Sequence, residues 1–141
     1  DASDIALSKA NQFAQDNHVN VEYTFSDTDS YTWPEDVYDA VVEIFIQFAD
    51  PAMRERLFQK TYETLKPGGI SILQGYTPKQ LEYKTGGPSL IEHLYTERLI
   101  RELAKDFSIL ELRSYKKVLS EGTRHEGMSA LLGLVAQKPK L

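Results

Sequence analysis

Asp27 follows an extended stretch and Asp1 stands just before a helix, and a carboxylate in either place could accept hydrogen bonds from the hydroxyl or amino groups of a ligand. Each has an ordinary alternative. Asp27 could bond its own turn, and Asp1 could be an exposed terminal acid or a charge that favours the helix N-terminus. Asp29 reads as solvated. Glu43, Phe45 and Gln47 lie at the end of the most apolar run in the chain, where a polar residue marks either a site or the limit of burial. Histidine titrates near neutrality, which makes His125 the candidate general base, against the plain reading of a surface histidine. His18 and His93 form no metal-ligand spacing with it. Tyr76, Gln80, Tyr83 and Tyr95 line or flank a long loop and either shape a pocket or pack that loop down. Gly68 and Gly69 follow a helix instead of preceding one, so they read as a helix-terminating turn and not as a phosphate cradle.

These side chains must be held by elements that composition allows. A chain of 141 residues with 41% hydrophobic and 26% charged residues suits one ordinary globular domain with a sizeable core. No apolar run is long enough for a helix to cross a bilayer. The net charge of -5, with 16 scattered Lys and Arg, disfavours a surface built to neutralise phosphate backbones, so nucleic acid is not the expected partner. The chain has no cysteine, which removes disulfides and thiolate chemistry and makes a cytoplasmic setting the default. It opens at Asp1 without an initiator Met and is expected to be a fragment.

Ser3 caps a helix to about Asp16, with Ala6, Ala10, Phe13 and Ala14 at helical spacing. Val19 to Phe25 alternates like a strand covered on one face, and Ser26 to Pro34 is a loop. Tyr38 to Phe48 reads as a central parallel strand buried on both faces. Asp50 and Pro51 start a helix carrying Met53, Leu57, Thr61, Tyr62 and Leu65, which stops at Lys66-Pro67-Gly68-Gly69 before a strand at Ile70 to Gln74. Strand, helix and strand in that space predict a parallel βαβ unit. Gly75 to Tyr95 is the long loop, of a kind that usually serves a site or folds as a lid. Thr96 caps a helix with Leu99, Ile100, Leu103 and Phe107. Ile109 to Val118 and Ser129 to Gln137 leave no room for a crossover and must pair as an antiparallel hairpin.

Four motifs in this order resemble the class I S-adenosylmethionine-dependent methyltransferases: Asp1-Ala2-Ser3 before the first helix, Ser26-Asp27 after the next strand, Tyr38-Asp39-Ala40-Val41-Val42, and Leu65-Lys66-Pro67-Gly68-Gly69. The segments Gln74-Gly75-Tyr76-Thr77-Pro78, Gly86-Gly87-Pro88 and Glu121-Gly122, with His125, Ser129 and Ala130, resemble a small bacterial group related to tellurite-resistance methyltransferases. The resemblance implies an α/β, Rossmann-like fold whose mostly parallel sheet is closed by an antiparallel β-hairpin, with S-adenosylmethionine as cofactor. It also implies a first strand and a glycine-rich loop that residues 1–141 do not contain. The chain is therefore expected to be a single partial domain, with activity belonging to the longer protein.

In such a sheet ligands collect beyond the carboxyl ends of the parallel strands. The resemblance places Asp1 and Ala2 at the ribose, with the Asp1 carboxylate accepting from both hydroxyls. It places Asp27 at the adenine amino group, the Thr28 N–H at the ring, and Phe45 against the adenosine or the reactive methyl. A sulfonium methyl is already activated, so the protein chiefly aligns the nucleophile, and a base is needed only for a protonated acceptor. His125, Gln47 and Tyr76 are the candidates for acceptor contact. The expected partner is a small-molecule substrate, with no membrane. Two other readings stand beside this one. The first is a non-catalytic module that self-associates as a homodimer through an exposed sheet edge. The second is a nicotinamide-dependent dehydrogenase, against which the closing hairpin argues.

Overall fold

The computed structural model describes residues 1–140, which form two compact units, Asp1–Thr32 and the chain from Trp33 onward. The first unit is built on α1 (Asp4–Asp16), whose N-cap Ser3 accepts from the Ala6 N–H through its hydroxyl at 3.2 Å. After the helix the chain doubles back, and the Tyr23 hydroxyl donates to the Ala10 carbonyl at 2.9 Å, pinning the return segment to the helix. Two expectations fail here. Val19 to Phe25 forms no ladder: at its end the Asp1 nitrogen donates to the Thr24 carbonyl and the Ser26 N–H to the Asp1 carbonyl, both at 3.0 Å. A strand requires a row of partners, and one residue supplies a single rung. Phe13, expected in the buried stripe, is exposed, and only Ala14 of α1 is buried.

The second unit is a four-stranded mixed sheet with helices. Strand β1 (Tyr38–Ile44) runs parallel to β2 (Leu65–Tyr76), joined by α2 (Pro51–Thr64). A short α3 (Gln80–Tyr83), a single 3-10 turn (Ile91–His93) and α4 (Glu97–Leu103) follow before β3 (Ser108–Ser120) and β4 (Glu126–Gln137). The order across the sheet is β1-β2-β4-β3, with β4 antiparallel to both neighbours. The hairpin expected from the short β3–β4 spacing is present. Leu73, Leu132, Leu134 and Ala136 of the sheet pack with Phe58, Tyr95, Ile100 and Ala104 to form the main core.

Helix α2 starts where the sequence predicts, because its signals are local. Asp50 accepts from the Met53 N–H at 2.9 Å and Pro51 occupies the first turn, where a missing N–H costs nothing. Asp50→Ala is expected to lower unfolding free energy by about 1 kcal/mol in urea titrations, with no change in the dependence on urea.

Three other expectations are corrected. Strand β1 is not buried on both faces. Glu43 points to α2, where its carboxylate accepts from the Thr61 hydroxyl at 2.9 Å, while Val42 and Ile44, on the alternate face, are 61% and 46% exposed. Among the described residues only β2 pairs with it, so it is an edge of the sheet. Lys66-Pro67-Gly68-Gly69 is not a helix-terminating turn but lies inside β2 as an irregularity, where the register with β1 shifts between the Tyr38↔Leu65 and Ala40↔Ile70 pairs. Gly68, at φ +83°, donates to the Lys138 carbonyl at 2.8 Å, and the Lys138 N–H returns to the Gly69 carbonyl at 2.9 Å. Finally, the long loop begins after Tyr76, since Gly75 and Tyr76 are the last residues of β2.

Candidate functional site

In the first unit, the backbone bond from Ser26 to Asp1 brings Asp1 beside the Ser26-Asp27 pair, so the two acids predicted as ligand contacts share one end of this unit. The Asp1 carboxylate uses one oxygen, Oδ1, to accept from the Ser3 N–H at 2.8 Å. Asp27 is more heavily engaged. Its Oδ1 accepts from the Asp29 and Ser30 N–H groups at 2.9 and 2.7 Å, and its Oδ2 from the Ser30 hydroxyl at 2.7 Å. The Ser30 hydroxyl, then the Ser30 N–H, hold the Asp27 carboxyl below the usual carboxylate range, keeping it an acceptor at neutral pH. A carboxylate offers about four lone-pair positions, so among the described residues three occupied on Asp27 leave one and one occupied on Asp1 leaves about three. These acceptors fit a nucleoside, with Asp1 able to take two hydroxyls and Asp27 one amino group. Ala2 and Thr28 adjoin these acids in the chain.

In the second unit, the carboxyl ends of β1 and β2 carry the other candidates. Strand β1 stops at Phe45, which turns into the left-handed region at φ +54° while its N–H still donates to the Gln74 carbonyl at 2.9 Å. That conformation is costly for a residue with a side chain and persists only where surrounding contacts enforce it, most often at functional sites. It puts the Phe45 ring flat against two others, the His125 imidazole at 4.3 Å and 9° and the Tyr76 ring at 4.8 Å and 19°. The Tyr76 hydroxyl and His125 Nδ1 are hydrogen-bonded at 2.6 Å. Burial, followed by the charge of Glu121, raises the Tyr76 phenol above its ordinary value, so it stays protonated at neutral pH.

The third candidate of that group is placed differently. The Gln47 side chain is buried and committed to backbone: it accepts from the Tyr76 N–H at 2.6 Å and donates to the Tyr76 and His93 carbonyls, both at 2.9 Å. It ties the end of β2 to the segment around His93, which also bonds the Gln47 carbonyl through Nδ1 at 2.8 Å. Gln80 plays a similar part for the loop. It donates to the Thr85 hydroxyl and the Gly86 carbonyl, both at 3.0 Å, and accepts from the Ala130 N–H at 2.9 Å. Gly86 makes an antiparallel bridge to His125, and beside it an open cavity of about 830 Å³ is bordered by Lys84, Gly87, Arg124, His125 and Glu126. Tyr83 is not among the residues bordering it.

Sequence reasoning named Glu43 as a polar residue in an apolar run and Tyr95 beside the long loop, but not that they belong to one buried polar group behind β1 with Thr61 and Arg54. Glu43 is held there with Thr61, and burial pushes its carboxyl up to about 7. Arg54 is buried, donates from Nη1 to the Glu92 carbonyl at 2.9 Å, and lies 5.9 Å from the centre of the Tyr95 ring. Burial, then the Glu43 charge, raises the Tyr95 phenol well above its usual range. The only available signal was a glutamate inside an apolar run.

Residues 1–69 match a family described as the methyltransferase domain. None of the curated proteins compared matches the chain. Among solved structures, a SAM-dependent methyltransferase from Methanosarcina mazei superposes with a TM-score of 0.76 at 18% identity, covering 100% of this chain and 81% of its own. The chain has the class I methyltransferase fold. TehB from Haemophilus influenzae shares this fold at TM-score 0.72 and 16% identity over 98% of the chain, which spans 48% of TehB. The N-methyltransferase NodS from Bradyrhizobium japonicum WM9 gives 0.70 and 14% over 99% of the chain and 71% of NodS. In the methyltransferase fold seen here, no helix of the described residues is long and apolar enough to cross a membrane.

Proposed function

We propose that the protein transfers a methyl group from S-adenosylmethionine to a small-molecule acceptor. The observation that carries this reading is the Ser26 to Asp1 backbone bond, which sets two carboxylates with spare lone pairs at one end of the first unit. Asp1 holds the ribose hydroxyls, with Ala2 beside it. Asp27 accepts from the adenine amino group, and the Thr28 N–H donates to the ring. Phe45 gives a flat apolar contact, and His125, held by Tyr76, meets the acceptor. When bound, S-adenosylmethionine supplies a methyl group already activated by its sulfonium; the protein contributes alignment and exclusion of water. We assign the activity to a protein in which residues 1–141 work with a glycine-rich loop, and expect the 141 residues alone to bind the cofactor more weakly.

Isothermal titration with S-adenosylhomocysteine tests the reading. Binding is expected, weakened roughly tenfold by Asp1→Asn and by Asp27→Asn, as for one lost hydrogen bond to a charged group each. No heat at millimolar ligand, in the longest form of the protein that can be made, would sink it.

A second reading has its own observation. Among the described residues strand β1 forms a ladder with β2 alone, and Val42 and Ile44 are exposed, which suits pairing with a second copy. Sedimentation equilibrium separates the two, since a folded species that stays monomeric at all concentrations rules out the edge-paired dimer.

A further inference from the structure

We propose that Tyr76 is a positioning residue that locks His125 with its hydrogen on Nε2, so that His125 meets the methyl acceptor as a hydrogen-bond donor and the acceptor is a nucleophile with no proton to lose.

The argument begins with a donor that has one outlet. The Tyr76 side chain is 1% exposed, and among the described residues its hydroxyl has a single partner, His125 Nδ1 at 2.6 Å. Phe45 stacks against one face of the Tyr76 ring. On another side the backbone of Gly87 approaches so closely that a Cβ there would stand 2.7 Å from the ring. These contacts hold the ring, and with it the hydroxyl oxygen, beside His125. The phenol is protonated at neutral pH, since burial raises its pKa. If His125 carried its hydrogen on Nδ1, that hydrogen would point at the phenol oxygen and the phenol hydrogen would be buried without an acceptor. An unsatisfied buried donor costs about 1–3 kcal/mol, enough to suppress one tautomer by tenfold or more. With Nδ1 accepting, Nε2 bears the hydrogen.

The rest of the surroundings hold this arrangement. His125 sits at the β3–β4 turn, its carbonyl accepting from the Glu121 N–H at 2.9 Å, and the bridge to Gly86 closes the other side. The Phe45 ring lies on the imidazole at 4.3 Å. His125 borders the open cavity, and Nε2 has no partner among the described residues.

A donor at Nε2 cannot take a proton from a neutral acceptor. It can donate to one lone pair of the acceptor and leave a second lone pair of the same atom or group free to point along the transfer line. A carboxylate or a thiolate meets that condition; a ring nitrogen with its single lone pair and an ammonium do not. The acceptor's lone pair forms the new bond to the methyl carbon, the carbon–sulfur electron pair stays on sulfur, and no proton leaves. This half of the inference rests on the methyl-transfer reading, whereas the tautomer does not.

The test is read by ¹⁵N–¹H NMR of the His125 imidazole, on the protein without cofactor, at alkaline pH. Nε2 is expected in the protonated-nitrogen range and Nδ1 in the bare-nitrogen range, with the minor tautomer undetected. In Tyr76→Phe, which keeps the ring and removes only the hydroxyl, the minor tautomer should rise roughly tenfold into view. A mixture in the unsubstituted protein, or an unchanged pattern in Tyr76→Phe, overturns the lock. Benzoate serves as the acceptor-type probe and benzylammonium as its opposite. Benzoate should shift the Nε2 hydrogen signal, and less so in Tyr76→Phe. A shift with benzylammonium alone overturns the assignment of acceptor class. Failure of S-adenosylhomocysteine to bind would sink the methyl-transfer reading while leaving the NMR result intact, so the two failures are distinguishable.

Discussion

Gly86→Ala is expected to lower the unfolding free energy by about 3 kcal/mol, the sum of a backbone clash and a conformation that disfavours any side chain. A Cβ at Gly86 would stand 2.2 Å from the Arg124 carbonyl oxygen, and the residue sits at φ +130°, which L side chains rarely adopt. The obstacle is main chain, so no rotamer change relieves it. Segment 84–87 would have to leave the hairpin tip, breaking the bridge to His125, the Gln80 bond to the Gly86 carbonyl and the Thr85 hydroxyl bond to the Met128 carbonyl. Gly122→Ala is the control. Gly122 also has a positive φ, +80°, but a Cβ there meets nothing within 4 Å, so about 1 kcal/mol is expected from backbone strain alone. Urea unfolding followed by circular dichroism compares the two; equal losses would refute the clash.

The second large effect concerns pH. Glu43 is 7% exposed, and burial raises its carboxyl from 4.5 to about 7, against the smaller opposing pull of the Thr61 hydroxyl. Because the folded protein holds this proton more tightly than the unfolded chain, the stabilisation is complete below about pH 4.5. It is lost as pH rises, and has gone above about 7. The difference corresponds to about 3 kcal/mol across that window. Glu43→Gln retains a carbonyl that can accept from Thr61 and carries no charge to bury. It should therefore flatten the profile and, at pH 8, unfold at higher urea than the unsubstituted protein by up to about 3 kcal/mol. The new amide hydrogens need acceptors in the same buried place, which makes this an upper bound. Parallel pH profiles for the two proteins between pH 5 and 8 would show that Glu43 is not the group responsible.

What could be read in advance divides along the range of the interactions involved. The start of α2 was legible because Asp50, Pro51 and Met53 are neighbours in sequence and the cap is made among them. The β3–β4 hairpin was legible because so few residues separate its strands. Lys66 to Gly69 was misread because its turn-forming residues say helix end, whereas their partners Gln137 and Lys138 lie about 70 positions away and pull the segment into the sheet. Strand β1 has the composition of a strand covered twice, yet burial depends on neighbours that composition does not specify. The same holds for Val19 to Phe25, whose alternation is present without a ladder.

The candidate site divides in the same way. Asp1 and Asp27 could be nominated singly from their places relative to the elements, and the bond through Ser26 joins their segments. Tyr76 and His125 are 49 positions apart, and nothing local announces that they touch. Gln47 stood out as a polar residue at the end of an apolar run. Its commitment to the backbone of Tyr76 and His93 could be seen only in three dimensions.

The place of β4 has a consequence for biosynthesis. It lies between β2 and β3, pairing with both, although it is the last of the four to be made. While the ribosome is still adding residues before 126, β2 and β3 have no direct means of joining, and the inner faces that carry Leu73 and Leu112 remain open to other nascent chains. Completion of the sheet waits for a segment that must insert between two strands already extruded. The β3–β4 pairing is local, but the β2–β4 pairing, from Tyr76↔Leu131 to Ile70↔Gln137, is of large sequence separation and forms slowly, which makes a partly translated chain the state most in need of chaperone cover.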